Sequence, residues 1–235
     1  MAYRNFRLAL LASVMAAATI SAQASTVEVP LERTRLLALQ DDPQAQFDLA
    51  VYHDKGIGVA LNKMAAAQWY QKAASRGHSK AQYNLALLHI NGEIGPVDHK
   101  SALSLLTAAA EQGLAAAQYN LGVMLANGMG TARDPKAAAA WYEKAAAAGN
   151  MDAAVNLASM LRTGRGVEKD LARSANLYRK AAEGGNAVTM ERLGYLHATG
   201  QGVPKDAVLA TKWTAMAELA GVKPLERDKI ISATP

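Results

Sequence analysis

Five histidines, at positions 53, 78, 89, 99 and 197, are the first residues whose type could do chemistry. A metal site needs several ligands converging on one point. His53, His89 and His197 fall in one spacing class, and Leu125 and Leu161 occupy the same class. A position that takes leucine as readily as histidine reads as packing with a polar tip, so neither a metal site nor a cofactor is expected. The chain has no cysteine. That removes disulfides, Cys-based zinc sites, iron–sulfur clusters and thiol nucleophiles. H-E-x-x-H, G-x-S-x-G and S-x-x-K do not occur. Glu143, Glu168 and Glu183 fall where solvated charge is the default, and no set of residues marks a catalytic pocket. G-x-G recurs, as in Gly128-Met129-Gly130, but a phosphate loop needs a strand before it and a helix after it. Here it separates two helical patterns and reads as a turn. A non-enzymatic protein is expected.

The elements that carry these residues follow from composition and period. Of 235 residues, 51 are alanine and only 2 are phenylalanine. An apolar fraction of 51% built from small side chains implies a core of closely packed helices. The net charge is +5, with no clustered Lys/Arg stripe, so no nucleic-acid partner is expected. Residues 1–24 place Arg4 and Arg7 before an uncharged apolar run from Leu8 to Ile20 and end in Ala22-Gln23-Ala24. This is the pattern of a cleaved secretory signal. The run is too short for a membrane span, which needs about 20 residues, so no stable membrane insertion is expected after cleavage. A periplasmic or secreted location follows.

The remainder repeats with a period of 36. Ala45, Ala81, Ala117, Ala153 and Thr189 align, as do Leu49, Leu85, Leu121, Leu157 and Leu193. So do Gly56, Gly92, Gly128, Gly164 and Gly200, and the closing glycines 77, 113, 149, 185 and 221. A second turn glycine stands at 58, 130, 166 and 202, whereas the second unit has Ile94 there and Gly95 one place later. Asn62, Asp98, Asp134, Asp170 and Asp206 occupy an N-cap position. A bulky position, Trp69, Leu105, Trp141, Leu177 and Trp213, is expected to fill the gap between the two helices of a unit. Each unit thus reads as helix A, glycine turn, helix B. One such hairpin cannot bury its own apolar face, so five stack into an all-α, right-handed solenoid. The expected organisation is a signal peptide at 1–24, an N-terminal capping helix within 25–44 with an apolar Leu36, Leu37, Leu39 cluster, five repeats at 45–222 and a tail at 223–235.

The repeat, best seen in Trp69-Tyr70-Gln71-Lys72-Ala73-Ala74 and Trp141-Tyr142-Glu143-Lys144-Ala145-Ala146, resembles the Sel1-like repeat, a relative of the tetratricopeptide repeat. The resemblance implies a protein–protein adaptor, often of the bacterial envelope. It leaves open a structural part in a polysaccharide-assembly complex and, without any motif to support it, a cell-wall or β-lactam hydrolase. Secreted relatives often staple each unit with a cysteine pair, which this chain lacks.

One helix-A face carries a pattern beyond the core stripe of Ala81, Leu85 and Leu88. Lys80, Asn84, Leu87 and Asn91 share it, and Asn120, Asn156 and Arg192 continue the Asn84 position, with Tyr83 and Tyr119 beside it. In tetratricopeptide solenoids the corresponding face is concave and its asparagines hold extended peptide. An amide both donates and accepts, and tyrosine adds a flat apolar contact with a polar tip. These nine residues are the candidate site for a protein or peptide partner. The same amides also suit a structural tie between neighbouring helices. Export makes its own prediction: intact-mass spectrometry of the exported protein should give a chain beginning at Ser25, and a mass retaining residues 1–24 would refute the signal reading.

Overall fold

The computed structural model describes residues 30–222; the expected signal peptide at 1–24, its expected cleavage before Ser25 and the expected tail at 223–235 lie outside the described residues. Among the described residues there are helices and turns and no strand. Helix α1 spans residues 30–39. It is followed by α2 (Pro43–Lys55), α3 (Lys63–Ser75), α4 (Ser79–Asn91), α5 (His99–Glu111), α6 (Ala115–Asn127) and α7 (Pro135–Ala147). Then come α8 (Met151–Thr163), α9 (Leu171–Glu183), α10 (Ala187–Thr199) and α11 (Ala207–Leu219). The even-numbered helices are the A helices and the odd ones from α3 onward are the B helices. The chain divides after Asp98 into two compact units, the first holding α1–α4 and the second α5–α11.

Caps set the helix limits. Asn62, Asp134, Asp170 and Asp206 each accept a hydrogen bond from the backbone N–H three residues on. That satisfies one of the free donors at a helix start. Helix-A positions Ala81, Leu85 and Leu88 are buried, as are Ala117, Leu121 and Met124. Opposite them lie the alanines of helix B, with Ala66, Ala73, Ala102, Ala109, Ala138 and Ala145 wholly inaccessible. Side chains this small let the helices approach closely, as the composition implied.

The gap between helices A and B is filled one residue later than the sequence suggested. Trp69, Trp141 and Trp213 are only half-buried, and Lys72 and Lys144 lay their ammonium groups over the first two rings at 4.1 and 3.9 Å. The buried residue is the next one: Tyr70, Leu106, Tyr142 and Tyr178 are all within the core. An indole is large and amphipathic and suits a half-wet position.

In the first unit, α1 is in register with the B helices. Asp41 stands 36 residues before Gly77 and adopts φ 67°, the one non-glycine residue with positive φ among the described residues. Asp42 then caps α2 at the Ala45 N–H. Leu31 and Ala38 pack on Ala45 and Leu49. The apolar cluster read from sequence is not what packs, since Leu36, Leu37 and Leu39 are exposed. Buried glutamines supply a tie that the sequence reading did not single out. Gln46 Nε2 donates to the Ala38 carbonyl, Gln82 Nε2 to Ala74 and Gln118 Nε2 to Ala110. Each fastens an A helix to the helix before it.

The second turn glycine has a steric reason. A Cβ on Gly130 would collide with the His99 carbonyl, one on Gly166 with Pro135 and one on Gly202 with Leu171. His99, Pro135 and Leu171 are the first residues of α5, α7 and α9, so each turn rests its bare backbone on the start of the preceding B helix. Ile94 cannot do this. At the corresponding place Lys63, the first residue of α3, reaches Glu93 through an ion pair of 2.7 Å. Gly166→Ala should therefore lower stability by about 1–3 kcal/mol more than Gly149→Ala, the usual cost of overpacking. Both glycines have positive φ, 75° and 88°, but a Cβ at 149 meets nothing within 4 Å. Equal losses by chemical denaturation would refute the contact.

Candidate functional site

Helices α6, α7 and α8 enclose a groove on the helix-A side with a cavity of about 510 Å³. Tyr119, Tyr142, Asn127, Asn156, Met160 and Arg165 are among its lining residues. Gly122 lies close under the Tyr142 ring, where a Cβ would come within 2.7 Å of it. The Tyr119 and Tyr142 rings meet at 6.0 Å and 41°. Asn156 hydrogen-bonds both phenols. Burial pushes the Tyr142 phenol up to about 12, against a smaller opposing pull from the Asn156 hydrogen bond. Burial also raises Tyr119, reinforced by the Asp152 carboxylate. Both phenols are therefore neutral over the physiological range.

The same construction occurs 72 residues earlier, in the first unit. Phe47 and Tyr70 meet at 5.9 Å and 44°, and Asn84 Nδ2 donates to Tyr70 Oη at 3.0 Å. Burial raises the Tyr70 phenol to about 12, and the Asn84 hydrogen bond opposes it. The charges differ, however. Asp54, at the repeat position of Ala126, is buried and pairs with Lys63 at 2.7 Å and Lys55 at 3.2 Å. Glu93, at the position of Arg165, pairs with Lys63 and accepts from Asn91 Nδ2 at 2.8 Å. Burial works against the Asp54 carboxylate, but hydrogen bonds from Lys63 and Lys55 outweigh it and hold the group below its ordinary range. Lys63 and Asn91 hold Glu93 low, and Asp54 and Glu93 hold the Lys63 ammonium above its ordinary value.

Tyr119 and Asn156 are the two candidate residues that the structure brings into one cavity. Asn84 ties α4 to α3 through Tyr70, the second of the two roles its chemistry allows, whereas Asn91 is exposed and bonds Glu93 two residues on. Lys80 is exposed, and Tyr83, Leu87 and Asn120 are half-buried. Asn120 follows Leu106, where the other tied positions follow a tyrosine. Arg192 stacks its guanidinium over the Tyr178 ring at 5.5 Å. Tyr142, Asn127 and Arg165 are lining residues that sequence reasoning missed. A periodic signal existed for Tyr142, since Tyr70 and Tyr178 share its position. None existed for Arg165, whose position also holds Ile57, Glu93, Met129 and Gln201.

The architecture is thus consecutive helix–turn–helix units in register with the 36-residue period. A family model for the Sel1 repeat matches residues 43–78, 79–114, 115–150, 152–186 and 187–222. The chain belongs to the Sel1 repeat family. A Sel1 repeat protein from Oxalobacter formigenes is 35% identical with a TM-score of 0.71, covering 77% of this chain and 72% of that one. A protective antigen of uropathogenic Escherichia coli strains with an SLR fold is 32% identical with a TM-score of 0.78. That similarity covers 80% of this chain, which spans only 40% of the antigen's length. A sel1 repeat protein from Klebsiella pneumoniae, 23% identical with a TM-score of 0.50 over 84% of this chain and 97% of that one, shares the fold. Comparison with curated proteins gives no match. Sel1 repeat proteins mediate protein–protein interaction, and their fold is typically a non-catalytic scaffold. Among the described residues, no helix is long and apolar enough to cross a membrane.

The ion pairs of the first unit carry a pH signature. Asp54 and Glu93 have depressed folded-state values, so their stabilising effect is present above the ordinary carboxylate range. It is lost as pH falls through the lower folded values. Lys63, raised, keeps its contribution until pH rises above the ordinary lysine range. The thermal midpoint should fall on acidification, and Asp54→Asn should flatten that fall. An unchanged acid slope in the variant would refute the assignment.

Proposed function

We propose that this Sel1 repeat protein is an exported, non-enzymatic scaffold that binds a protein or peptide partner on its helix-A face, with the α6–α8 groove as the principal site. The groove carries the reading. It joins two aromatic rings, two amides and a guanidinium around one open cavity. That mixture of rigid aromatic area and fixed polar groups is what protein interfaces concentrate at their hot spots. Export rests on the sequence pattern of residues 1–24, which favours a periplasmic or secreted location.

Cross-linking and capture from an envelope fraction tests this. Tyr119→Ala should weaken the captured complex by about 1–3 kcal/mol, the usual size of an aromatic anchor, with the fold retained by circular dichroism. Glu143→Ala should leave it unchanged, because Glu143 faces solvent on α7 and pairs with Arg173. Capture that is insensitive to Tyr119→Ala but lost in Glu143→Ala would place the interface on the B helices and contradict the proposal.

A further inference from the structure

Two arginines converge at the rim of the α6–α8 groove. Arg133 Nε and Arg165 Nη2 both donate to the Ala126 carbonyl, at 2.9 and 3.0 Å. Ala126 lies in the last turn of α6, where carbonyls lack intrahelical donors and the helix end favours positive charge. This explains how the two guanidiniums are held, but not why there are two. Each guanidinium has five N–H donors and gives one to Ala126. Among the described residues neither forms an ion pair, although the neighbouring Arg173 pairs with Glu143. No acidic residue lines the cavity.

The first unit shows what the same construction looks like when its charges are satisfied. There Asp54 and Glu93 stand at the positions of Ala126 and Arg165, and Lys63 bridges them. Those charges neutralise one another. The α6–α8 groove keeps an excess of positive charge at one end of an aromatic, partly apolar cleft. A carboxylate placed there would gain charge-assisted hydrogen bonds from both arginines, and the guanidinium fork matches its two oxygens. The neutral phenols of Tyr119 and Tyr142 would not repel it. Two cations beside apolar walls are too few to track a phosphate backbone, which needs a stripe of cations.

We propose that the α6–α8 groove recognises an acidic peptide segment, with an Asp or Glu side-chain carboxylate held by Arg133 and Arg165 and the adjacent apolar side chain lying against Tyr119 and Met160. This rests on the reading of the helix-A face as a partner site and adds the chemistry of the partner.

The probe is a labelled Gly/Ser peptide with capped termini and a central Leu-Glu-Leu, compared by fluorescence anisotropy with its Leu-Gln-Leu counterpart on the mature chain. The Glu peptide should bind about tenfold more tightly, as one charge-assisted contact implies, and the gap should narrow with added salt. The double variant Arg133→Gln, Arg165→Gln should remove the gap while leaving the affinity for the Gln peptide unchanged. Arg133→Lys, Arg165→Lys should keep part of the gap, and circular dichroism shows whether each variant is folded. Equal affinities for the two peptides, no binding of either, or a gap that survives in the Gln double variant would overturn the inference. So would a single-stranded oligonucleotide of equal charge binding more tightly than the Glu peptide. Partner capture that depends on Tyr119 but not on the arginines would leave the helix-A reading standing and remove only the carboxylate.

Discussion

Backbone resting on backbone is the contact on which the stacking depends. At Gly130, Gly166 and Gly202 the turn of one unit lies against the opening carbonyl of the preceding B helix, with no room for a Cβ. A hairpin of alanine-rich helices has little apolar area of its own, so it is stable only when a neighbour lies close. The glycine turn sets how close, and in α2, α4 and α6 a buried glutamine fastens the other end of the A helix to the helix before it. Where Ile94 interrupts the pattern, an ion pair between Lys63 and Glu93 joins the same two places. A steric contact has been exchanged for an electrostatic one, which makes that junction, unlike the glycine junctions, sensitive to pH.

The α6–α8 groove is a consequence of this spacing. Once helices A and B are fixed, a tyrosine on helix B lies beneath the next A helix and meets an aromatic residue from its own unit's A helix. Phe47 with Tyr70 and Tyr119 with Tyr142 have nearly the same geometry. What changes along the chain is the charge around that constant frame. Solenoids vary their binding chemistry in this way, holding the packing positions and altering the side chains between them.

Much of the fold was legible because it is written five times. The caps at Asn62, Asp134, Asp170 and Asp206, the all-helical content and the core stripe of helix A all follow from a period of 36. Errors arose where one residue of a pair had to be chosen. Trp69 looked like the gap-filler by size, yet Tyr70 is the buried residue, because the tryptophan positions face outward far enough to meet a lysine. Leu36, Leu37 and Leu39 looked like a core cluster, but α1 continues the helix-B register, which directs Leu31 and Ala38 inward. The candidate site was legible only in part. Its tyrosines and asparagines recur and can be aligned, although recurrence could not show that Asn84 only ties helices while Asn156 also lines a cavity. Arg165 varies from unit to unit, so periodicity could not reveal it.

Hydrogen–deuterium exchange on the chain with and without its captured partner tests the central claim most directly, because it reports each backbone segment separately. Slowed exchange along α6 and α8 and in the turn around Arg165, exceeding any change in α7 and α9, is the expected result. Protection confined to α7 and α9, with α6 and α8 exchanging as in the free protein, would contradict the account.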